Sequence, residues 1–193
     1  RAEGATAVEL AARASLDRTT VHRMLRCLAA EGLAAQDART RRYFLGPLAY
    51  EMGLAAAERT DLRALCRPVL ARIAGETGDT AFLMIRSGDE SACVERAEGP
   101  YPVKTLVVDV GTRRPLGIGA GSLAILGALP PEEAEEVLAR NAGRLGAYDR
   151  LTVARLRRMM RQARADGHVT MGVVDVPGVR AVAVPIRDAT GRA

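Results

Sequence analysis

Histidine, cysteine and long apolar runs are all scarce in this 193-residue chain, and each shortage removes a class of function. The three cysteines, Cys27, Cys66 and Cys93, are scattered and odd in number. That argues against a disulfide framework and for a reducing, cytoplasmic compartment. The two histidines, His22 and His168, have no nucleophile or carboxylate paired with them in sequence. No H-E-x-x-H, C-x-x-C or G-x-S-x-G motif occurs, and no metal-ligand spacing. The chain is therefore not expected to be an enzyme or to carry a metal or cofactor. It shows no signal-peptide pattern and no run long enough to span a membrane. Internal repeats and low-complexity tracts are also missing.

One local absence is more informative. Between Arg18 and Ala30 there is no acid, while Arg18, Arg23 and Arg26 all fall there. The net charge is only +5, so the cationic character is local rather than a general coat. Exposed helices usually mix charge signs, and an unbalanced donor face points to a polyanionic partner.

The stretch SLDRTTVHRMLRCLAAEGL shows how that face is built. Val21, Met24, Leu25 and Leu28 follow the i, i+3, i+4, i+7 spacing of one helix stripe. Thr19, His22, Arg23 and Arg26 then fall on the opposite face, with Arg18 and Thr20 beside the first turn. Asp17 is placed to cap the start and Gly32 to end the helix. Upstream, Thr6-Ala7-Val8-Glu9 matches a capping box, opening a short helix with Leu10, Ala11 and Ala14 inward. Ser15-Leu16-Asp17 joins the two, which is the helix-turn-helix layout. In that layout the second helix enters the major groove of double-stranded DNA, N-terminal residues first.

Next, residues 33–36 and 41–45 read as strands around a turn at 37–40. Arg39, Arg41 and Arg42 decorate this hairpin, which makes it a basic wing placed to touch phosphate. The DNA-binding set is thus Arg18, Thr19, Thr20, His22, Arg23, Arg26, Arg41 and Arg42.

Residues 47–59 are alanine-rich and read as a linker helix. Asp61 starts a further helix with an apolar stripe of Leu62, Leu65, Val69, Leu70 and Ile73, stopped by Gly78. Period-2 patterning then predicts strands at 80–86 and 91–96 around a turn, and a valine-rich third strand at 102–110. Helices are expected from about 122 to 128, over PEEAEEVLARN, and from a Thr152 cap to Gly167. Residues 168–174 and 180–187 read as closing strands. Strands, helices and strands again predict an α+β domain. The boundaries expected are 1–46 for DNA binding, 47–60 for the linker helix and 61–193 for the second domain. Both ends read as cut: a helix before Thr6 and a strand after the turn at 188–191 are expected but missing.

The glycine-rich stretch G-I-G-A-G-S (117–122) lies where a strand turns into a helix. Glycines let backbone N–H groups approach a ligand closely, and the helix start behind them favours an anion. No G-K-[ST] follows, so it is not a nucleotide-phosphate loop. In a chain that also carries a DNA-binding module, a small-ligand sensor pocket is the reading favoured over a plain turn.

In this order of motifs the chain resembles IclR-type bacterial transcriptional regulators. The carriers are RTTVHRMLRCLAAEGL, RRYFLGP, RPVLARIAGETGDTAFL, VERAEG, GTRRPLGIGAGSLAIL and PGVRAVAVPI, and they cover nearly the whole chain. The resemblance implies an N-terminal winged helix-turn-helix, a linker helix and a GAF-like effector domain, an antiparallel sheet with flanking helices. It also implies a homodimer or homotetramer on a palindromic operator, controlling small-molecule catabolism genes in response to organic acids or aromatics. The chain departs from the family's pattern at the pocket. Gly117 stands where histidine is common, and Ala181 where a cysteine often sits. Met171 and Gly172 replace an acidic pair. The effector residues expected are Thr105, Gly119, Ala120, Gly121, Ser122, Met171, Val179 and Ala181, enclosing an organic acid with an apolar body. A second reading stays open, in which the C-terminal domain binds no ligand and serves oligomerisation.

Overall fold

In the computed structural model, the described residues are 4–57, 61–102, 104, 108–148, 151–173, 176, 178–188 and 191. They form two compact units that meet in sequence between Leu62 and Arg63.

The first unit begins with α1 (Ala7–Ala14), held by both bonds of the expected capping box. Thr6 Oγ1 accepts the Glu9 N–H at 3.3 Å, and the Glu9 carboxylate accepts the Thr6 N–H at 2.8 Å. Ser15 ends the helix in the left-handed region, at φ 54. Asp17 then caps α2 (Arg18–Ala30) by accepting the Thr20 N–H at 2.8 Å. Strands β1 (Ala34–Gln36) and β2 (Tyr43–Leu45) form the hairpin, and α3 (Pro47–Ala57) follows. Sequence reading missed a further pairing, in which Ala5 and Tyr43 exchange backbone bonds of 3.0 and 2.7 Å.

The core of this unit is small: Ala11, Val21 and Leu25, with Ala7, Leu10 and Tyr43 against them. This corrects the predicted stripes. Met24 and Leu28 are 50% and 39% exposed. Ala14 is exposed as well. The eight-residue α1 presents mostly alanine inward, so it reaches one edge of the α2 stripe and not the other.

The second unit opens with α4 (Leu62–Thr77), followed by the antiparallel sheet β3 (Thr80–Ser87), β4 (Glu90–Glu98) and β5 (Arg113–Pro115). Of the third strand expected at 102–110, residues 103 and 105–107 lie outside the description and the described residues are irregular. β5 pairs with β4 from Glu90↔Pro115 to Ala92↔Arg113. A bulge shifts the register at Leu83/Met84. Helices α5 (Ala120–Ala128), α6 (Pro131–Asn141) and α7 (Val153–Asp166) follow, with a 3-10 turn (Ala142–Ala147) after α6. A short hairpin, β6 (Val169–Gly172) with β7 (Arg180–Ala183), completes the set and is shorter than the sequence predicted.

α5 is the hub because it is apolar all round. Leu123, Ala124, Ile125 and Leu126 are all buried, as a helix covered on every side requires. It packs on β3, β6, β7 and α7. Val137 and Leu138 of α6 and Leu156 and Met160 of α7 join the same core. α4 is attached differently. Of its predicted stripe it buries Leu70, beside Ala74, while Leu62, Leu65, Val69 and Ile73 are exposed. Arg63 and Arg67 instead tie it to the largely buried Glu95 of β4, at 3.3 and 2.9 Å. The α+β architecture is the one expected.

Candidate nucleic-acid interface and effector pocket

α2 presents its donors outward. Arg18, Thr19, His22, Arg23 and Arg26 are all exposed. Thr20 is half-buried, and its backbone N–H is the group that Asp17 caps. The Thr20 hydroxyl and N–H together hold the Asp17 carboxyl below its ordinary range, so the cap is an anion at neutral pH. Among the described residues no salt bridge engages Arg18, Arg23 or Arg26. Three unanswered guanidiniums on one helix face make a surface suited to a polyanion.

The wing is a tight Asp37 turn. Asp37 Oδ1 accepts from Thr40 N at 2.6 Å, Thr40 Oγ1 at 2.7 Å and Arg39 N at 3.1 Å. Those bonds keep the Asp37 carboxyl ionised, the Thr40 N–H first among them. Arg39 and Arg41 stand exposed around this turn, Arg41 at φ 57. Arg42 does not project with them. Its Nη2 lies 3.2 Å from Glu9 Oε2 and 3.2 Å from the Gly4 carbonyl oxygen, which it meets as a donor. The expected phosphate contact is thus drawn back onto the body of the unit by an acid that sequence spacing did not connect to it.

In the second unit Gly119 precedes α5 at φ 87 and, having no side chain, leaves the helix start without a side-chain cap. The N–H groups of Ala120 and Gly121 belong to this first turn. Ser122 turns inward. Its side chain is 1% exposed, and its Oγ accepts the Gly117 N–H at 3.0 Å and donates to the Pro115 carbonyl at 3.3 Å. The hydroxyl braces the glycine loop from inside. Thr105 lies outside the described residues.

Met171 and Ala181 face each other across the β6–β7 pair, half-buried against the core that α5 organises. Val179 closes the connection between those strands, accepting from Val173 N at 2.9 Å. Met84 on β3 was missed. A Cβ built on Gly121 would meet Met84 Cγ at 2.8 Å, so this side chain lies over the first turn of α5 and requires glycine beneath it. Alternation along β3 names Met84 as inward or outward only if the register is unbroken, and the bulge at Leu83/Met84 breaks it. A separate open cleft of about 400 Å³ lies at the other end of α5, between Gly127, Leu129, Ala163, His168 and Pro185. It contains none of the predicted effector residues. Its Arg164 is already donating to the Gly127 and Leu129 carbonyls, at 2.7 and 3.0 Å.

Among the described residues no helix is long and apolar enough to cross a membrane.

Residues 1–38 match the model of the IclR helix-turn-helix domain, and residues 54–193 that of the bacterial transcriptional regulator IclR C-terminal domain. The chain is 33% identical to the HTH-type transcriptional regulator BhcR of Paracoccus denitrificans, over 98% of its own length and 68% of that protein's. It is 36% identical to the HTH-type transcriptional regulator KipR of Bacillus subtilis, over 67% of the chain and 51% of the relative. The crystal structure of an IclR transcriptional regulator from Alicyclobacillus acidocaldarius superposes with a TM-score of 0.74 at 30% identity, over 97% of this chain and 75% of that one. An IclR homolog of Microbacterium hydrocarbonoxydans, solved with 4-hydroxybenzoate, superposes at 0.71 with 25% identity, over 96% and 76%.

Proposed function

Because the chain belongs to the IclR family of bacterial transcriptional regulators, we propose that it binds operator DNA through α2 and the wing, and that a small molecule held in the second unit alters that binding. The observation that carries the DNA half is the acid-free exposed face of α2 beside a basic hairpin. Arg23 and Thr19 are assigned to base edges, and Arg39 and Arg41 to phosphate. Base contacts carry sequence information and phosphate contacts do not. One short recognition helix reads few base pairs, so the protein acts as a homodimer on an inverted repeat. Footprinting tests this. An asymmetric footprint from a monomer on DNA would rule the dimer out.

For the ligand half, the N–H groups of Ala120 and Gly121 take the anionic end of an organic acid, and Met84, Met171 and Ala181 contact its body. This wall offers no second polar partner, and leaving a buried polar group unpaired costs about 1–3 kcal/mol. The effector is therefore an acid with one charged end and an apolar or aromatic body; the 4-hydroxybenzoate seen in the Microbacterium relative shares the aromatic carboxylate, but its para hydroxyl is a second polar group that this wall would leave unpaired. Calorimetry with benzoate-type and short hydroxylated acids, on wild type and Ala181→Phe, checks it. The aromatic acid should bind wild type better, and Ala181→Phe should lose it while keeping DNA affinity. Tighter binding of the hydrophilic acid would reject this pocket. The seating of Met84 over Gly121 also favours a second reading, a filled unit that serves oligomerisation alone. Heat release with neither acid, together with an unchanged oligomer on Ala181→Phe, would support it.

A further inference from the structure

The segment before α1 is built against the wing. Besides the Ala5–Tyr43 bonds, Gly4 sits at φ 64 with no room for a side chain. A Cβ there would lie 2.7 Å from Phe44 Cζ and 2.9 Å from the Tyr43 oxygen. Arg42 closes this contact from the other side by holding the Gly4 carbonyl and the Glu9 carboxylate with one nitrogen. Glu9 therefore has two tasks. It completes the capping box of α1, and it holds the strand that carries the wing turn. The Thr6 N–H bond and the cations of Arg42 and Arg13 keep its carboxyl below the ordinary range, so it is charged at neutral pH.

We infer that Glu9 is a positioning residue for DNA binding: its ion pair with Arg42 sets the wing, and hence Arg39 and Arg41, against the helix-turn-helix. The inference rests on the DNA-binding reading above. It also replaces the simpler role for Arg42 as a phosphate contact. The two roles predict opposite signs. Simple electrostatics says that removing an acid near DNA tightens binding, whereas loss of a brace weakens it.

The test uses the full-length protein, with a duplex that wild type selects from a random pool and an unselected duplex of equal length. Glu9→Gln is the informative variant, because glutamine still completes a capping box. Affinity for both duplexes should fall roughly three- to tenfold at moderate salt, with the slope of log affinity against log salt reduced by about one to two phosphate contacts. Arg42→Gln should give the same loss, and the double variant no more than either single one, as a cycle through one interaction requires. Melting curves verify that α1 is intact. Unchanged or tighter binding by Glu9→Gln while Arg42→Gln weakens overturns the inference and makes Arg42 a phosphate contact. Additive losses overturn it too. If Glu9→Gln does not fold, a cycle between Arg42→Gln and Arg41→Gln decides. Additive losses make Arg42 an independent phosphate contact and overturn the inference, and a double variant no weaker than Arg42→Gln supports it. A wild-type protein that selects no duplex would defeat the DNA-binding reading itself.

Discussion

Two regions of this molecule are crowded with arginine and use it in opposite ways. On α2, Arg18, Arg23 and Arg26 meet no acid among the described residues. Around the β3–β4 hairpin every arginine named next has one. Arg140 meets Asp89 at 2.7 Å, Arg86 meets Glu133 at 2.6 Å, and Arg113 and Arg144 share Glu90. Asn141 adds a 2.8 Å bond to the Asp89 carbonyl, which pins the turn to the end of α6. The same side chain is a partner-seeking group in one place and a clamp in the other. What differs is whether packing delivers a carboxylate within reach. Composition cannot show this, since each arginine counts alike toward the net charge of +5 wherever its partner lies.

Breaking the open face should have the largest effect. Arg23→Ala is expected to cost about 1–3 kcal/mol of operator affinity and to relax specificity, with melting temperature unchanged. Parallel titrations on the selected and unselected duplexes measure it, and equal loss on both would sink the base-reading role. Breaking the clamp should do the reverse. Glu90→Gln leaves Arg113 and Arg144 short of a partner and should lower stability by about 1 kcal/mol in denaturant titrations, with DNA affinity unaltered. A DNA defect in this variant would erase the distinction between the two regions.

Acidification sharpens the contrast further. Hydrogen bonds from Arg144 and Arg113 lower the Glu90 pKa, and those from Arg140 lower that of Asp89. A carboxylate whose folded pKa is depressed contributes stability above its unfolded value, lost as pH falls through the folded one. Unfolding followed from pH 7 downward should therefore show the wild-type advantage over Glu90→Gln intact until about pH 4.5 and shrinking below it. An advantage that persists at pH 2 would mean that charge is not what Glu90 contributes. The smallest expected effect is that of salt on the clamp. The clamp should respond weakly between 50 and 200 mM salt, whereas DNA affinity should fall by orders of magnitude if several phosphates are neutralised, roughly 0.9 per contact on the log scale. Matched salt series for melting and for binding compare the two directly.

Spacing along the chain settles the helix caps and faces. Thr6 to Glu9 and Asp17 to Thr20 are three residues apart, so helix geometry brings each pair together whatever surrounds them. The donor face of α2 follows from its period, and the start of α5 from its glycines. Long-range packing settles the rest. It drew Arg42 across 33 positions to Glu9, and laid Met84 over Gly121 after a bulge had shifted its strand. It also paired β4 with Arg113–Pro115, a stretch with no strand pattern, and exposed Met24 and Leu28 on a stripe whose neighbour is short. Each of those outcomes depends on which distant group the fold brings within bonding distance. That is set by packing and register, and no spacing along the chain encodes it.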